Sequence, residues 1–164
     1  MLEPRGAEDQ EQPISLNLRP ATVADYDFLF HVLKATMRDY VDQTWGWRES
    51  EQQARFADEF TPEHDRIIVL AGVDIGVLAV EHRADEVFID KLYILPAYQR
   101  RGIGTRLIRD VLAEASREGL PVRLRVLKVN PARRLYERLG FVVVDQTDPS
   151  YVMRAQHQRI GDTR

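Results

Sequence analysis

Three β-rich stretches, residues 66–71, 75–82 and 86–95, are separated only by Gly72-Val73-Asp74 and Arg83-Ala84-Asp85. A parallel crossover needs a dozen or more residues, so connectors this short force antiparallel hairpins and make the segment a meander. In the third stretch strict alternation puts Phe88, Leu92 and Ile94 on one face and Val87, Ile89, Tyr93 and Leu95 on the other. Both faces are apolar, which predicts a central strand covered on both sides.

The rest of the chain supplies the cover. Residues 14–18 alternate like a half-buried strand and are stopped by Arg19-Pro20. A helix follows with Thr22 as its cap, and Phe28, Leu29, Val32, Leu33, Thr36, Met37, Tyr40 and Val41 recur on one side of it. After Trp45-Gly46-Trp47, Ser50 and Gln53 form a capping-box pattern for a second helix with Phe56, Ala57 and Phe60 as its stripe, closed by Pro62. Residues 102–118 place Ile103, Leu107, Ile108, Val111, Leu112 and Ala115 on one face, with Gly119 and Pro121 as terminators. Residues 122–127 read as a strand, 131–139 as a short helix ended by Gly140, and 141–145 with 150–154 as a last hairpin. The order β-α-α-β-β-β-α-β-α-β-β is an α+β fold with a mixed, mostly antiparallel sheet flanked by helices.

At 164 residues the chain fits one domain. The ordered body is expected at 14–154, with polar tails at 1–13 and 155–164 that cannot bury enough apolar surface to order themselves. A formal charge of −3 gives little pull toward nucleic acid or anionic lipid. No run approaches the ~18 apolar residues that span a bilayer, and the N-terminus lacks an apolar signal core, so a cytoplasmic location is expected, with neither membrane nor nucleic acid as partner. The absence of cysteine excludes disulfides, thiolate-bound zinc and a cysteine nucleophile, and four scattered histidines give no metal-ligand spacing.

Function is concentrated at Gln99-Arg100-Arg101-Gly102-Ile103-Gly104, where a hydrophobic strand gives way to an amphipathic helix. Two glycines there let the backbone approach a ligand, and the first helical turn offers unpaired N–H groups with the positive end of the helix dipole behind them. Such a cradle suits a phosphate ester. The spacing resembles the Gln/Arg-x-x-Gly-x-Gly/Ala pyrophosphate loop of the GNAT superfamily of N-acetyltransferases. Downstream, Asn130-Pro131-Ala132-Arg133-Arg134-Leu135-Tyr136-Glu137-Arg138-Leu139-Gly140-Phe141 resembles the second signature of that superfamily, an Asn, a Leu-Tyr pair and a Gly-Phe. The element order matches the GNAT topology.

The resemblance implies an acetyl-coenzyme A-dependent N-acetyltransferase acting on a primary amine of a small molecule or peptide. Its coenzyme site would comprise the segment from Gln99 through Arg100, Arg101, Gly102, Ile103 and Gly104 to Thr105, the strand end Leu92-Tyr93-Ile94, Asn130, Arg133 and Tyr136. Pro96 cannot donate to a ladder, so the strand must stop or diverge there and leave an edge for an extended ligand. Asn130 also reads as an ordinary turn residue before Pro131, and Tyr136 shares a stripe with Ala132, Leu135 and Leu139 that suits a core tyrosine. In many relatives the Tyr136 equivalent gives its proton to the departing thiolate.

For the base the sequence departs from the family. Some relatives carry a glutamate where this chain has Phe88. Asp90, on the same face, is the nearest substitute, either among apolar neighbours that raise its pKa or paired with an arginine; Glu81 and a water relay are the others. Trp45 and Trp47 either wall an amine pocket or anchor the helix pair. With no nucleophile for a covalent acyl-enzyme, direct transfer in a ternary complex is expected. The alternative is a coenzyme-binding sensor that has lost turnover. The acceptor and the oligomeric state stay open, a homodimer among the options.

Overall fold

A β-bulge at Asp90 sets the geometry of the sheet. The structure, a computed structural model, describes residues 14–156, so the tail expected at 1–13 and, apart from its first two residues, the one expected at 155–164 fall outside it. Its strands are β1 (Leu16–Pro20), β2 (Arg66–Leu70), β3 (Val73–His82), β4 (Val87–Ile94), β5 (Val122–Leu127), β6 (Val142–Gln146) and β7 (Ser150–Ala155). Its helices are α1 (Tyr26–Trp45), α2 (Glu49–Glu59), α3 (Ile103–Arg117) and α4 (Arg133–Arg138). They form one seven-stranded sheet in the order β1-β2-β3-β4-β5-β7-β6, antiparallel throughout except for the β4–β5 pair. This is the expected α+β order, with β4 central.

Two apolar clusters hold the layers together. On one face Leu29 and Val32 of α1 pack against Ile67 and Val77, with Phe28, Phe56, Phe60, Tyr93 and Leu95 around them. On the other, Ile103, Leu107, Ile108, Val111 and Ala115 of α3 and Tyr136 of α4 pack against Ile68, Leu78, Val87, Ile89, Leu124 and Val126. Burial of such side chains contributes about 1.5–3 kcal/mol each and is the main term holding the helices to the sheet.

Strict alternation mis-sorts β4. Ala79 pairs with Lys91 and Val80 with Ile89, which leaves Asp90 as an extra residue opposite no partner. The extra residue resets the parity, so Val87 and Ile89 share the α3 face with Leu92 and Ile94, while Tyr93 and Leu95 lie on the α1 face. Asp90 is exposed. Among the described residues it has no arginine partner, and its exposure leaves it open to solvent rather than enclosed by the apolar neighbours of the other reading.

Other departures have local causes. The turn between β2 and β3 shrinks to Ala71-Gly72, both left-handed at φ 49° and 81°, the geometry of a tight two-residue hairpin, so β3 begins at Val73. β1 continues through Pro20, which an edge strand tolerates. Thr22 caps a 3-10 turn over Val23–Asp25 rather than α1 itself: its hydroxyl accepts from Ala24 N–H while Asp25 accepts from Thr22 N–H. The capping box at Ser50 and Gln53 does not form. α2 already starts at Glu49, whose carboxylate is held by Lys34 at 2.9 Å and by Trp47 Nε1 at 2.8 Å, so tertiary contacts fix that helix start. At the other end of the chain β7 extends to Ala155, which is buried.

Gly76 shows how closely β3 and β4 approach. A Cβ built there would stand 2.1 Å from the Tyr93 carbonyl oxygen. Gly76→Ala must therefore push β3 off β4, and an equilibrium denaturation experiment should show a loss of about 2 kcal/mol or more. A second test concerns Arg19, which ties β1 to Asp25 at 2.8 Å and to Asp74 at 2.9 Å. The guanidinium holds the Asp25 carboxyl below the usual aspartate range. A depressed folded-state pKa gives stability that is present above about pH 4 and lost as pH falls through the lowered value. Asp25→Asn should flatten the acid limb of the stability profile below about pH 4 and leave its slope near neutrality unchanged.

Candidate active site

β4 and β5 pair only at Val87–Val122, Phe88–Arg123 and Ile89–Leu124. Beyond that point β4 keeps β3 as its neighbour and β5 keeps β7, so each strand turns one edge toward an opening between them. The extra residue at Asp90 stands immediately after the last pair, where a bulge bends its strand away. Leu95, Pro96 and the 3-10 turn Pro96–Tyr98 then carry the chain out of the sheet.

A cavity of about 600 Å³ occupies this opening. Its walls are Leu29, Leu33, Met37, Val41 and Trp45 of α1, Gln52, Arg55, Phe56, Glu59 and Phe60 of α2, residues 88–93 of β4, residues 124–127 of β5, and Asn130, Ala132 and Tyr136. The space thus reaches from the helix pair on one face to α4 on the other. Its size suits a small ligand or the reacting end of a larger one.

The loop predicted to cradle an anion lies where β4 leaves the sheet. Gln99 Nε2 donates to the Ile94 carbonyl at 2.8 Å and ties the loop back to the strand. Arg100 and Gly102 are left-handed at φ 63° and 77°, and Gly102 is the N-cap of α3. The first helical bond is Arg106 N–H to Gly102 O at 3.0 Å. Among the described residues the amides from Arg100 to Thr105 donate to no acceptor. Left-handed residues that turn successive amides the same way make a concave anion site, and the dipole of α3 adds to it. Arg101 lies over the Tyr98 ring at 5.4 Å, while Arg100 is exposed. A methyl at Gly104 would stand 3.4 Å from Leu135 and 3.6 Å from Ile94, so the start of α3 packs on both α4 and β4.

The downstream motif has a structural logic. α4 ends at the left-handed Gly140, φ 95°, and Phe141 folds back so that its N–H donates to Tyr136 O at 3.0 Å and its ring meets the Tyr136 ring edge-on at 5.8 Å. Tyr136 is 8% exposed, and burial pushes its hydroxyl pKa up to about 12. That hydroxyl makes no hydrogen bond with a described residue, and Tyr136 lines the cavity. Asn130 Oδ1 accepts from Ala132 N–H at 2.9 Å, the turn role, and the residue also lines the cavity. Arg133 bonds Glu137 at 2.5 Å and lies over the Tyr151 ring at 4.4 Å, outside the cavity wall.

The cavity therefore brings together Asp90, Leu92, Tyr93, Asn130 and Tyr136. Ile94 joins the set through its bond to Gln99. Glu81 stands apart: it is exposed, outside the cavity wall, and bonded at 3.0 Å to Arg83, which holds its carboxyl below the usual range. The guanidinium groups of Arg83 and Arg123 stand 4.6 and 5.6 Å from the centre of the Phe88 ring, and Glu86 Oε1 bonds both arginines. Trp47 is an anchor, bonded to Asp42 and Glu49, whereas Trp45 is exposed at the cavity wall.

Sequence reasoning missed two features. Lys91 Nζ meets Asp65 Oδ1 at 3.1 Å inside the cavity, although their positions in the chain carry no shared motif. A second cavity, about 610 Å³, separates Pro96 and Gln99 from His31, Lys34, Arg38 and Asp39 of α1. The signal for it was the His31, Lys34, Arg38 spacing on one side of α1.

Comparison with known proteins gives the same picture. The model of the acetyltransferase (GNAT) family matches residues 29–141. A ribosomal protein bS18-alanine N-acetyltransferase of Haemophilus influenzae is 29% identical over 106 residues, 64% of this chain and 68% of that protein. Among solved structures, the PaiA N-acetyltransferase of Thermoplasma acidophilum in complex with coenzyme A superposes with a TM-score of 0.71 at 18% identity, covering 87% of this chain and 99% of that one. The ribosomal-protein-S18-alanine N-acetyltransferase of Escherichia coli gives 0.62 at 18% identity, covering 92% and 99%. With the family match spanning more than half the chain and the sheet order, the parted strands and the loop all in place, the protein belongs to the GNAT family of acetyltransferases.

Proposed function

We propose that this protein moves an acetyl group from acetyl-coenzyme A to the primary amine of a small molecule or peptide, with both substrates bound at once. The observation that carries this reading is the continuity of the site: free loop amides at the end of β4, an unpaired β4 edge, and a cavity that holds a carboxylate and a phenol. Family membership supports it, as do the coenzyme A complex of the Thermoplasma relative and the amine acceptor named for the Haemophilus one.

Each residue type fits its part. The amides from Arg100 to Thr105 bind the diphosphate. The free edge of Leu92-Tyr93-Ile94 pairs with the extended arm of the coenzyme as an added strand would. Bound acetyl-coenzyme A supplies the acetyl group as a thioester, whose C–S bond is exchanged for a C–N bond. Asp90, on its bulge at the mouth of the opening, takes the proton of the acceptor ammonium. As the C–S bond breaks the Tyr136 hydroxyl donates a hydrogen bond to the leaving sulfur, and the second proton lost from the nitrogen ends on that sulfur or in solvent. A phenol held near 12 binds a sulfur of ordinary pKa about 8.5 chiefly by hydrogen bonding, with the proton shared rather than given up early.

Thiol release from acetyl-coenzyme A across a panel of amines tests the reading. Transfer within a ternary complex gives intersecting initial-rate lines; parallel lines would exclude it, and coenzyme binding without any thiol release would make the protein a sensor. Tyr136→Phe should lower kcat by about 100-fold with coenzyme Kd within about threefold of native. Asp90→Asn should lower kcat/KM for the amine by a similar factor, again with coenzyme affinity retained. Unchanged turnover in either variant removes that residue from its role.

A further inference from the structure

The charges around the cavity do not cancel locally. Arg55 bonds Glu59 at 3.1 Å and Lys91 bonds Asp65 at 3.1 Å, so four of the charged groups in its wall are satisfied within the protein. Asp90 and Arg125 are the other two, and neither makes a hydrogen bond or ion pair with a described residue. Their positions are related. Ile89–Leu124 is the last β4–β5 pair, so Asp90 and Arg125 are the first residues beyond it, one on each strand.

They also line the same cavity. Val122, Leu124 and Val126 pack with α3, which turns Arg123 and Arg125 to the α1 side, where Arg123 lies over the Phe88 ring. The loop from Gln99 to Thr105 opens α3, and Gly104 packs toward Ile94 and Leu135 on the opposite side of the sheet. Arg125 is thus on the face away from the proposed diphosphate cradle. Alongside the two charges the wall is apolar, with Leu33, Met37 and Phe56.

An opposite-charged pair held on two diverging strands, each member without a partner among the described residues, suits a ligand that carries both charges. A planar guanidinium binds a carboxylate through two parallel N–H···O bonds, which a lone ammonium-binding site has no need of. Resting on the transfer reading, we infer that the acceptor is a primary amine that itself carries a carboxylate: its ammonium end meets Asp90, its carboxylate meets Arg125, and an apolar side chain lies against Leu33, Met37 and Phe56. A free apolar α-amino acid has this layout. A peptide N-terminus, whose carboxyl is an amide, does not.

The test uses three matched acceptors with saturating acetyl-coenzyme A: leucine, leucinamide and isoamylamine. The native protein should favour leucine in kcat/KM on the order of tenfold over each of the others, the worth of a charge-assisted hydrogen bond. Arg125→Gln, an exposed substitution whose melting temperature serves as the folding control, should shrink the preference for leucine over leucinamide to within about twofold, and Arg125→Lys should recover part of it. A native preference for leucinamide, or a leucine preference that survives in Arg125→Gln, overturns the inference and leaves acetyl transfer standing. No thiol release with any of the three, while other amines of the panel do release thiol, overturns this inference alone; no release with any amine, while coenzyme still raises the melting temperature, overturns the transfer reading and this one with it.

Discussion

The parting of β4 from β5 is the constraint on which the rest of the molecule depends. A central parallel pair would normally run the length of both strands, because an unpaired backbone group away from water costs about as much as a lost hydrogen bond. Here the pairing stops after Ile89–Leu124, and each strand stays in the sheet by its other edge, β4 with β3 and β5 with β7. The sheet therefore remains continuous at one end and splits at the other. The backbone of β4 beyond Asp90 is left as a template for an extended ligand.

The split also joins two environments that a continuous sheet would separate. Helices α1 and α2 close one face with an aromatic cluster in which Tyr26 meets Phe60 and Phe56 edge-on at 4.9 and 5.0 Å. Helices α3 and α4 close the other, and the free amides of the loop sit where α3 starts. In the proposed function a coenzyme gripped on one side meets an amine held on the other, and Tyr136 and Asp90 reach the same space from α4 and from β4. Burial keeps the Tyr136 phenol neutral, and the bulge keeps Asp90 in reach of solvent. The difference in their surroundings suits one to donate and the other to accept.

Legibility in the sequence followed the range of the interaction involved. The hairpins were readable because a short connector leaves one topology, and α3 because its apolar stripe has a clean helical period. The loop was readable because glycine spacing is a local requirement of the backbone, met here by the left-handed Gly102. The bulge at Asp90 was not. A single extra residue leaves no trace in an alternation that is apolar on both faces, and so Leu92 and Ile94 were grouped with Phe88 instead of Ile89. The start of α2 was misread for the opposite reason: Ser50 and Gln53 fit a local rule, but Lys34 and Trp47 hold Glu49 and settle the boundary from a distance.

The amino-acid sequence by itself determined the order of the elements, the antiparallel meander, and the place where backbone amides meet a helix start, since each follows from local geometry and periodicity. Which groups share the cavity was decided by the tertiary structure alone. Lys91 reaches Asp65, Asp90 and Arg125 have no partner among the described residues on their facing strands, and Glu81 is drawn away by Arg83, because side-chain partners are chosen by register, twist and bulge. Those are properties of strands brought together in space, and a linear pattern of residue types does not carry them.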